Sequence, residues 1–120
     1  MHDVEEHSLV CKAVRECLGG CFDWDERGAR LVRQDWELQG LTPEFLRTEV
    51  CRHVRSEGDH EIIQVLENRE EYRDDYRFYY KVILPIDGFR HGVFVEMILT
   101  GSDDPEFPEV TIVRAHLQRK

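Results

Sequence analysis

The chain lacks the long apolar segment that a membrane span requires. No stretch approaches the roughly 18 consecutive apolar residues that cross a bilayer, and the first residues, Met1 to Glu6, lack the basic and then apolar layout of a secretion signal. The sequence also lacks any CxxC pair, a spacing typical of structural zinc sites. These absences predict a cytoplasmic protein with no membrane partner, and we expect neither a metal nor any other cofactor.

Cysteine is sparse, with four residues in 120. They lie among apolar or helical positions: Cys11, Cys17, Cys21 and Cys51. A chain of this length folds without covalent crosslinks, and thiols stay reduced in the cytoplasm, so we expect no disulfide. A zinc site that combines His7 with these cysteines is disfavoured, because two glycines between Cys17 and Cys21 break the helical spacing.

Positive charge is also scarce. The 25 acidic residues outnumber the 16 lysines and arginines, which gives a net charge of −9 and argues against general electrostatic capture of nucleic acid. The excess is confined to residues 1–75, with 19 acidic and 10 basic residues, whereas residues 76–120 carry six of each. The second part of the chain can therefore still present a locally cationic face.

Hydrophobic spacing predicts two helices in the first half of the chain. Apolar residues recur every three to four positions between Asp3 and Leu18, and two glycines follow. A second helix starts at Thr42-Pro43, since Thr42 can cap the first turn and Pro43 fits the first helical position, and it runs to about Arg55. Residues 21–40 between them show a mixed pattern that we interpret as a hairpin or an irregular connector. In the hairpin, Phe22 and Trp24 alternate, residues 25–28 form a turn, and residues 29–32 return as a strand.

After Gly58 the apolar period changes from near four to two, which is typical of β-strands. The predicted strands are His60–Leu66, Tyr76–Leu84, Val93–Leu99 and Val110–Leu117. The charged segment Glu67–Asp75 is predicted to be an exposed loop or a flaring strand end. Because short connections make successive strands antiparallel, the expected fold is α+β. Two N-terminal helices pack on a three- to four-stranded antiparallel β-meander, and residues 1–120 form a single domain.

Alternation divides the meander into two faces. The more apolar face, which the helices are expected to cover, holds Tyr76, Phe78, Tyr80, Val82, Val93, Val95, Met97, Thr111, Val113 and Ala115. The opposite face collects six polar residues: Arg77, Tyr79, Lys81, Glu96, Arg114 and His116. A histidine, a carboxylate, a phenol and three cations are the groups that metal-free phosphodiester cleavage uses. Residues of these types also decorate any solvated sheet face, and that alternative stays open.

The order of elements, with a last strand reading Val110-Thr111-Ile112-Val113-Arg114-Ala115-His116, resembles the small bacterial ribonuclease toxins of the RelE and barnase-like group. The resemblance covers about residues 42–117 in layout and implies a metal-independent endoribonuclease of a toxin–antitoxin pair, with RNA as its partner. By that analogy Arg114 contacts phosphate, and His116 serves as acid or base. Lys81 and Tyr79 hold the transition state. The remaining candidates are Glu96, in the catalytic set, and Arg77, in substrate binding.

A second hypothesis is an acidic binding module, such as an immunity protein or an inhibitor, that blocks a basic protein partner. The net charge and the carboxylates of Glu67–Asp75 favour it. A regulatory subunit that forms a homodimer through the sheet is a third. The first two differ in what they require of the structure. An enzyme brings His116, Arg114 and Lys81 together on one open face, whereas an inhibitor clusters the carboxylates of residues 67–75 on a rigid surface.

Overall fold

Three α-helices and a five-stranded sheet form the fold in the computed structural model, which describes residues 2–120. The helices are α1 (Val4–Glu16), α2 (Glu26–Gln34) and α3 (Pro43–Glu57). The strands are β1 (Phe22–Trp24), β2 (Ile63–Leu66), β3 (Phe78–Leu84), β4 (Val93–Gly101) and β5 (Glu109–Leu117). Two 3₁₀ turns, Trp36–Leu38 and Asp59–Glu61, precede α3 and β2. Among the described residues, no helix has both the length and the apolar character needed to cross a membrane.

The sheet is mixed rather than purely antiparallel. Its strands lie in the order β1-β5-β4-β3-β2, with β1 parallel to β5 and the other neighbouring pairs antiparallel. The α+β class and the antiparallel strands of the second half are confirmed, whereas the prediction of two helices on an antiparallel-only sheet is wrong in detail. Strand β1 lies where Phe22 and Trp24 alternate, but three residues are too few to indicate that they pair in parallel with the last strand.

Residues 21–40 hold β1 and α2 instead of the predicted hairpin or irregular connector. Asp25 caps α2, since its Oδ2 accepts a hydrogen bond of 3.0 Å from the Gly28 N–H. The predicted turn therefore begins a helix, and the predicted return strand at 29–32 lies inside it. Sequence periodicity misses this helix because only Gly28, Ala29 and Val32 are buried among its nine residues, which makes the apolar stripe narrow.

The other two helices begin close to their predicted starts, and a side chain caps each. Thr42 Oγ1 accepts a hydrogen bond of 3.0 Å from the Phe45 N–H at the start of α3. Asp3 Oδ1 accepts one of 3.0 Å from the Glu6 N–H at the start of α1. Helix α3 ends at Gly58, whose φ of 112° lies in the region that favours glycine. Both predicted helices are thus confirmed.

Helices α1 and α3 pack on one face of the sheet and enclose the core with it. Apolar residues from both layers meet there: Val10, Val14, Val50, Val54, Phe78, Tyr80, Val82, Val93, Val95 and Met97. The strand residues in this set were predicted to face the helices, and for β3 and β4 the prediction is confirmed by their burial. We call the opposite side of the sheet the outer face.

A β-bulge in β5 changes which of its residues face the core. Glu96 pairs with Arg114 and the next residue of β4 pairs with Ile112, which leaves Val113 as the extra residue. The inward residues of β5 are therefore Val110, Ile112 and Ala115. The prediction that Thr111 and Val113 face the helices is wrong, because strict alternation cannot show an inserted residue. The bulge leaves Arg114 on the outer face, where it was predicted.

A disulfide joins Cys17 to Cys51, whose Cα atoms lie 6.1 Å apart. The expectation of no disulfide is wrong for this pair. The two residues are 34 positions apart in the chain, and they meet only because α1 ends at Cys17 beside the middle of α3. The other two cysteines are free, and burial raises the pKa of the Cys11 thiol to about 11. Disulfides persist mainly in oxidising compartments, so the cytoplasmic location stays a prediction.

Helix α2 packs against β5 at the bulge. A Cβ added to Gly28 would lie 2.3 Å from the Val113 carbonyl oxygen, which is far inside van der Waals contact. The absence of a side chain at Gly28 therefore lets the helix approach the bulged backbone. This contact fixes α2 at one border of the outer face.

Replacing Gly28 with alanine tests this close approach. An alanine in a helix interior normally stabilises the protein, but here the new methyl group overlaps backbone, and we expect a loss of about 1–3 kcal/mol in the free energy of unfolding. Urea unfolding measures it. The control is Gly19→Ala, where the added Cβ meets nothing within 4 Å, and little change is expected. A Gly28→Ala protein as stable as the wild type would contradict the packing described.

Candidate functional site

Three of the predicted site residues form a row across the outer face. Lys81 on β3 lies opposite Glu96 on β4, and Glu96 lies opposite Arg114 on β5. The Arg114 Nε is 3.6 Å from Glu96 Oε2. A carboxylate in the central strand is thus flanked by one cation on each side, an arrangement that we call the sheet row.

His116 lies beside this row on the same strand as Arg114. It pairs with Phe94 across β4, and the two rings stack with centroids 4.6 Å apart and planes inclined by 17°. Its Nδ1 donates a hydrogen bond of 3.1 Å to the Leu117 carbonyl oxygen. That bond fixes the ring and directs proton exchange to Nε2. The side chain is exposed, so a substrate can reach it.

The centre of the site is an arginine that the sequence analysis did not select. Arg69 lies in the connection between β2 and β3, residues 67–77, which we call the β2–β3 segment. Its Nε and Nη2 donate to the two carboxylate oxygens of Glu67 at 2.8 and 2.7 Å, and Nη2 also donates to Glu96 Oε2 at 3.0 Å. The guanidinium carbon lies 4.8 Å from the ring centroid of Tyr79 and 5.0 Å from that of Tyr72. Arg69 therefore connects Tyr79 to the sheet row.

Both carboxylates that Arg69 binds are buried, with Glu67 at 6% and Glu96 at 4% exposure. An ionised carboxylate loses much hydration on burial and must be compensated by a cation and by hydrogen bonds. The Arg69 hydrogen bonds outweigh the effect of burial and lower the pKa of Glu67, while the two glutamates raise the pKa of Arg69. This network anchors the β2–β3 segment on the outer face.

The segment is also tied to β3 through its backbone. The Glu67 N–H donates to the Arg77 carbonyl oxygen at 2.9 Å, and the Arg69 N–H donates to Glu67 Oε1 at 3.1 Å. The prediction that Glu67–Asp75 forms an exposed loop is therefore wrong at its start, where Glu67 is buried, and holds for the exposed carboxylates of residues 70–75. A run of charged residues in a sequence predicts solvent exposure. It does not show that one of them forms a buried ion pair, as Glu67 does with Arg69.

A cleft of about 470 Å³ lies between α2 and the β2–β3 segment, above the outer face. Side chains from α2, the β2–β3 segment, β4 and β5 line it, among them Arg27, Leu31, Tyr72, Tyr76, Ile98 and Arg114. Tyr76, which was predicted to face the helices, instead lies before β3 begins and contributes to this cleft. The sheet row forms part of the cleft floor through Glu96 and Arg114, whereas Lys81 and His116 lie outside it.

Arg77 lies apart from the sheet row. It precedes β3, and its guanidinium carbon is 5.2 Å from the ring centroid of Phe78, a core residue. Burial raises the pKa of Glu6 on α1, and the charge of Arg77 opposes that rise. The arginine therefore lies towards α1, and its role in substrate binding stays a prediction.

The residues that sequence analysis missed, Glu67, Arg69 and Tyr72, share one signal. They follow β2 directly as a glutamate, an arginine two positions later and a tyrosine three positions after that. An acid and a base at this spacing can form a local ion pair, and an aromatic ring can cover it. Strand order was also needed, because β2 and β3 had to be placed beside β4 before Arg69 could be connected to Glu96.

Comparisons of the chain with protein-family models, with curated proteins and with solved structures each found no match. Among residues 2–120, no group of three or more histidine, cysteine, aspartate or glutamate side chains is arranged to hold a metal ion.

Replacing Arg69 with methionine tests the network. The change leaves the buried carboxylate of Glu67 without its paired cation and removes one of the two arginines beside Glu96, and we expect a loss of about 3–5 kcal/mol in the free energy of unfolding, measured with urea. Adding Glu67→Gln and Glu96→Gln should restore part of that loss, because the uncompensated charges are then gone. The matched control is Arg73→Met, an exposed arginine of the same segment, with an expected change within about 0.5 kcal/mol. Equal effects of the two arginine substitutions would contradict the network.

The lowered pKa of Glu67 predicts a pH dependence of stability. A carboxyl group with a pKa below its ordinary value of 4.5 stabilises the folded state above that pH, and this contribution disappears as the pH falls through the folded-state pKa. Glu67→Gln should therefore lose less stability than the wild type between pH 7 and pH values below 4.5, measured by urea unfolding. Glu70→Gln, in an exposed position, should behave as the wild type. A wild-type response from Glu67→Gln would exclude this contribution.

Proposed function

We propose that the chain is a metal-independent endoribonuclease whose active site is the outer face of the sheet. The observation that carries the proposal is the alignment of Lys81, Glu96 and Arg114 across three strands, with the exposed ring of His116 beside them. These residues supply two cations and a proton-transfer group around a surface wide enough for a phosphodiester.

The strand order places His116 and Lys81 on opposite sides of β4. Neighbouring strands are about 4.8 Å apart. His116 pairs with Phe94 and Lys81 pairs with Glu96, two residues further along β4, so the two residues face each other diagonally across β4 over about 12 Å between their backbones. A phosphodiester bound between them has one proton-transfer side chain on each side of its phosphorus atom. Cleavage by the neighbouring 2′-hydroxyl is an in-line displacement that needs such an arrangement.

In the proposed reaction His116 Nε2 takes the proton of the ribose 2′-hydroxyl. The 2′-oxygen then forms a bond to phosphorus, the bond from phosphorus to the 5′-oxygen breaks, and the Lys81 ammonium gives a proton to that leaving oxygen. The products are a 2′,3′-cyclic phosphate and a 5′-hydroxyl. Arg114 binds the non-bridging oxygens and stabilises the negative charge that accumulates on them.

Glu96 and Tyr79 act in this proposal as positioning residues. Glu96 is buried and interacts with two arginines, which suits it to orient the Arg114 guanidinium. Tyr79 packs against the Arg69 guanidinium and so supports the same contact from β3. The roles proposed for His116 and Arg114 are those that the RelE and barnase-like resemblance implies, whereas the roles of Lys81, Tyr79 and Glu96 differ from it, and the resemblance itself stays a prediction.

The acidic binding module has less support. Glu67 is turned inward, where its charge is compensated by Arg69, which leaves only the carboxylates of residues 70–75 exposed in this part of the chain. RNA is therefore the proposed partner.

RNA cleavage in the presence of excess chelator tests the proposal. The wild-type protein should cleave a single-stranded RNA under these conditions, and His116→Ala should reduce the rate by about 10²–10⁴-fold because a proton-transfer group is lost. The control is His91→Ala, an exposed histidine between β3 and β4, with an expected wild-type rate. Circular dichroism and thermal unfolding establish that both variants are folded. No cleavage by the wild type, or equal cleavage by wild type and His116→Ala, would overturn the proposal.

A further inference from the structure

The cleft above the outer face has two walls of different origin. On the β2–β3 segment, the Tyr76 N–H donates to the Tyr72 carbonyl oxygen and the Tyr72 N–H donates to the Arg69 carbonyl oxygen, each at 3.0 Å. These bonds hold the two tyrosines in one turn, with both rings half-buried at the cleft. On α2, Leu31 faces the cleft with 54% of its surface exposed. The result is an aromatic and apolar slot that the chain itself does not fill.

Three arginines and three carboxylates also line this slot. The guanidinium carbons of Arg69 and Arg114 lie 5.0 and 5.9 Å from the Tyr72 ring centroid, and Arg27 lines the cleft from α2. The carboxylates are already engaged within the chain, since Glu67 and Glu96 bind Arg69 and Asp25 caps α2. Tyrosine and leucine side chains with arginines beside them suit a planar aromatic ring that carries a phosphate group. The volume of about 470 Å³ is in the range of sites that hold one small ligand.

The cleft is continuous with the proposed active site through Arg114. That residue lines the cleft and also ends the sheet row, and His116 follows it two positions later on β5, about 7 Å further along the strand. A nucleotide whose base occupies the cleft therefore presents its phosphate to Arg114, next to the histidine. Base and phosphate of one nucleotide fit the two neighbouring sites.

From these contacts we infer that the cleft is a nucleobase-binding site and that the substrate is single-stranded RNA. A base can enter between α2 and the β2–β3 segment only if it is unpaired and unstacked, because the walls lie on both sides of it. This inference rests on the proposed function for the identity of the ligand. It adds the strandedness of the substrate and the residues that hold its base.

Binding measurements on a variant that does not cleave test this inference separately from catalysis. In the His116→Ala protein, fluorescence anisotropy at fixed salt compares a labelled single-stranded oligoribonucleotide with the same strand in a duplex. The single strand should bind about tenfold or more tightly, since only it can place a base in the cleft. Adding Tyr72→Ala should weaken single-strand binding by about tenfold, whereas Tyr72→Phe should retain it.

Because Tyr72 also packs against Arg69, its loss can weaken binding by displacing Arg69 rather than by removing a contact with the base. A second substitution, on the opposite wall of the cleft, separates these two effects. Leu31→Glu places a charge in the slot from α2 at an exposed position, and it should weaken single-strand binding to a similar extent without unfolding the protein. The matched control is Trp36→Ala, an aromatic side chain that is 84% exposed and lies outside the cleft, with no expected effect.

Equal affinity for single strand and duplex, no measurable binding of the single strand, or wild-type binding by both Tyr72→Ala and Leu31→Glu would overturn the inference. The outcome is separable from that of the proposed function. Cleft-dependent binding of the single strand by a protein that never cleaves RNA overturns the proposed catalysis alone. If His116→Ala abolishes cleavage but the cleft substitutions leave RNA binding unchanged, only the cleft inference is overturned.

Discussion

The outer face depends on one interaction, the compensation of two buried carboxylates by Arg69. Glu67 and Glu96 come from different elements, and each is nearly inaccessible to water. Without the guanidinium between them, both would either be exposed or lose their charge. Because Arg69 binds both, the β2–β3 segment lies over the sheet and Arg114 is held beside Glu96. The strand register sets the sheet row, and the cleft above it follows from this contact.

The other border of the site depends on backbone geometry. The bulge at Val113 lets β5 place Ile112 in the core while Arg114 and His116 lie on the outer face. Helix α2 can approach the bulge because Gly28 has no side chain. The inserted residue thus lets one strand present apolar side chains to the core and polar side chains to the outer face. Bulges are frequent next to active sites, where they redirect side chains in this way.

Much of the fold is encoded in local patterns, and the centre of the site is not. Helices α1 and α3 and the strands β2 to β5 follow from apolar spacing and from the Thr42 cap, and alternation correctly selects Tyr79, Lys81, Glu96, Arg114 and His116 as a polar set. Arg69 could not be found in this way, because its partners Glu67 and Glu96 are brought together only by the pairing of β2, β3 and β4. The same limit explains the disulfide, whose cysteines meet through helix packing.

The central claim is that this outer face cleaves RNA through the ribose 2′-hydroxyl, and the chemistry of the cleaved ends tests it most directly. Mass spectrometry of a defined oligoribonucleotide after incubation with the protein and chelator should show 2′,3′-cyclic phosphate and 5′-hydroxyl ends. A substrate with a single 2′-deoxyribose at the cleavage position should stay intact at that position. Products with 5′-phosphate ends, or cleavage of the 2′-deoxy substrate at the same position, would contradict the account.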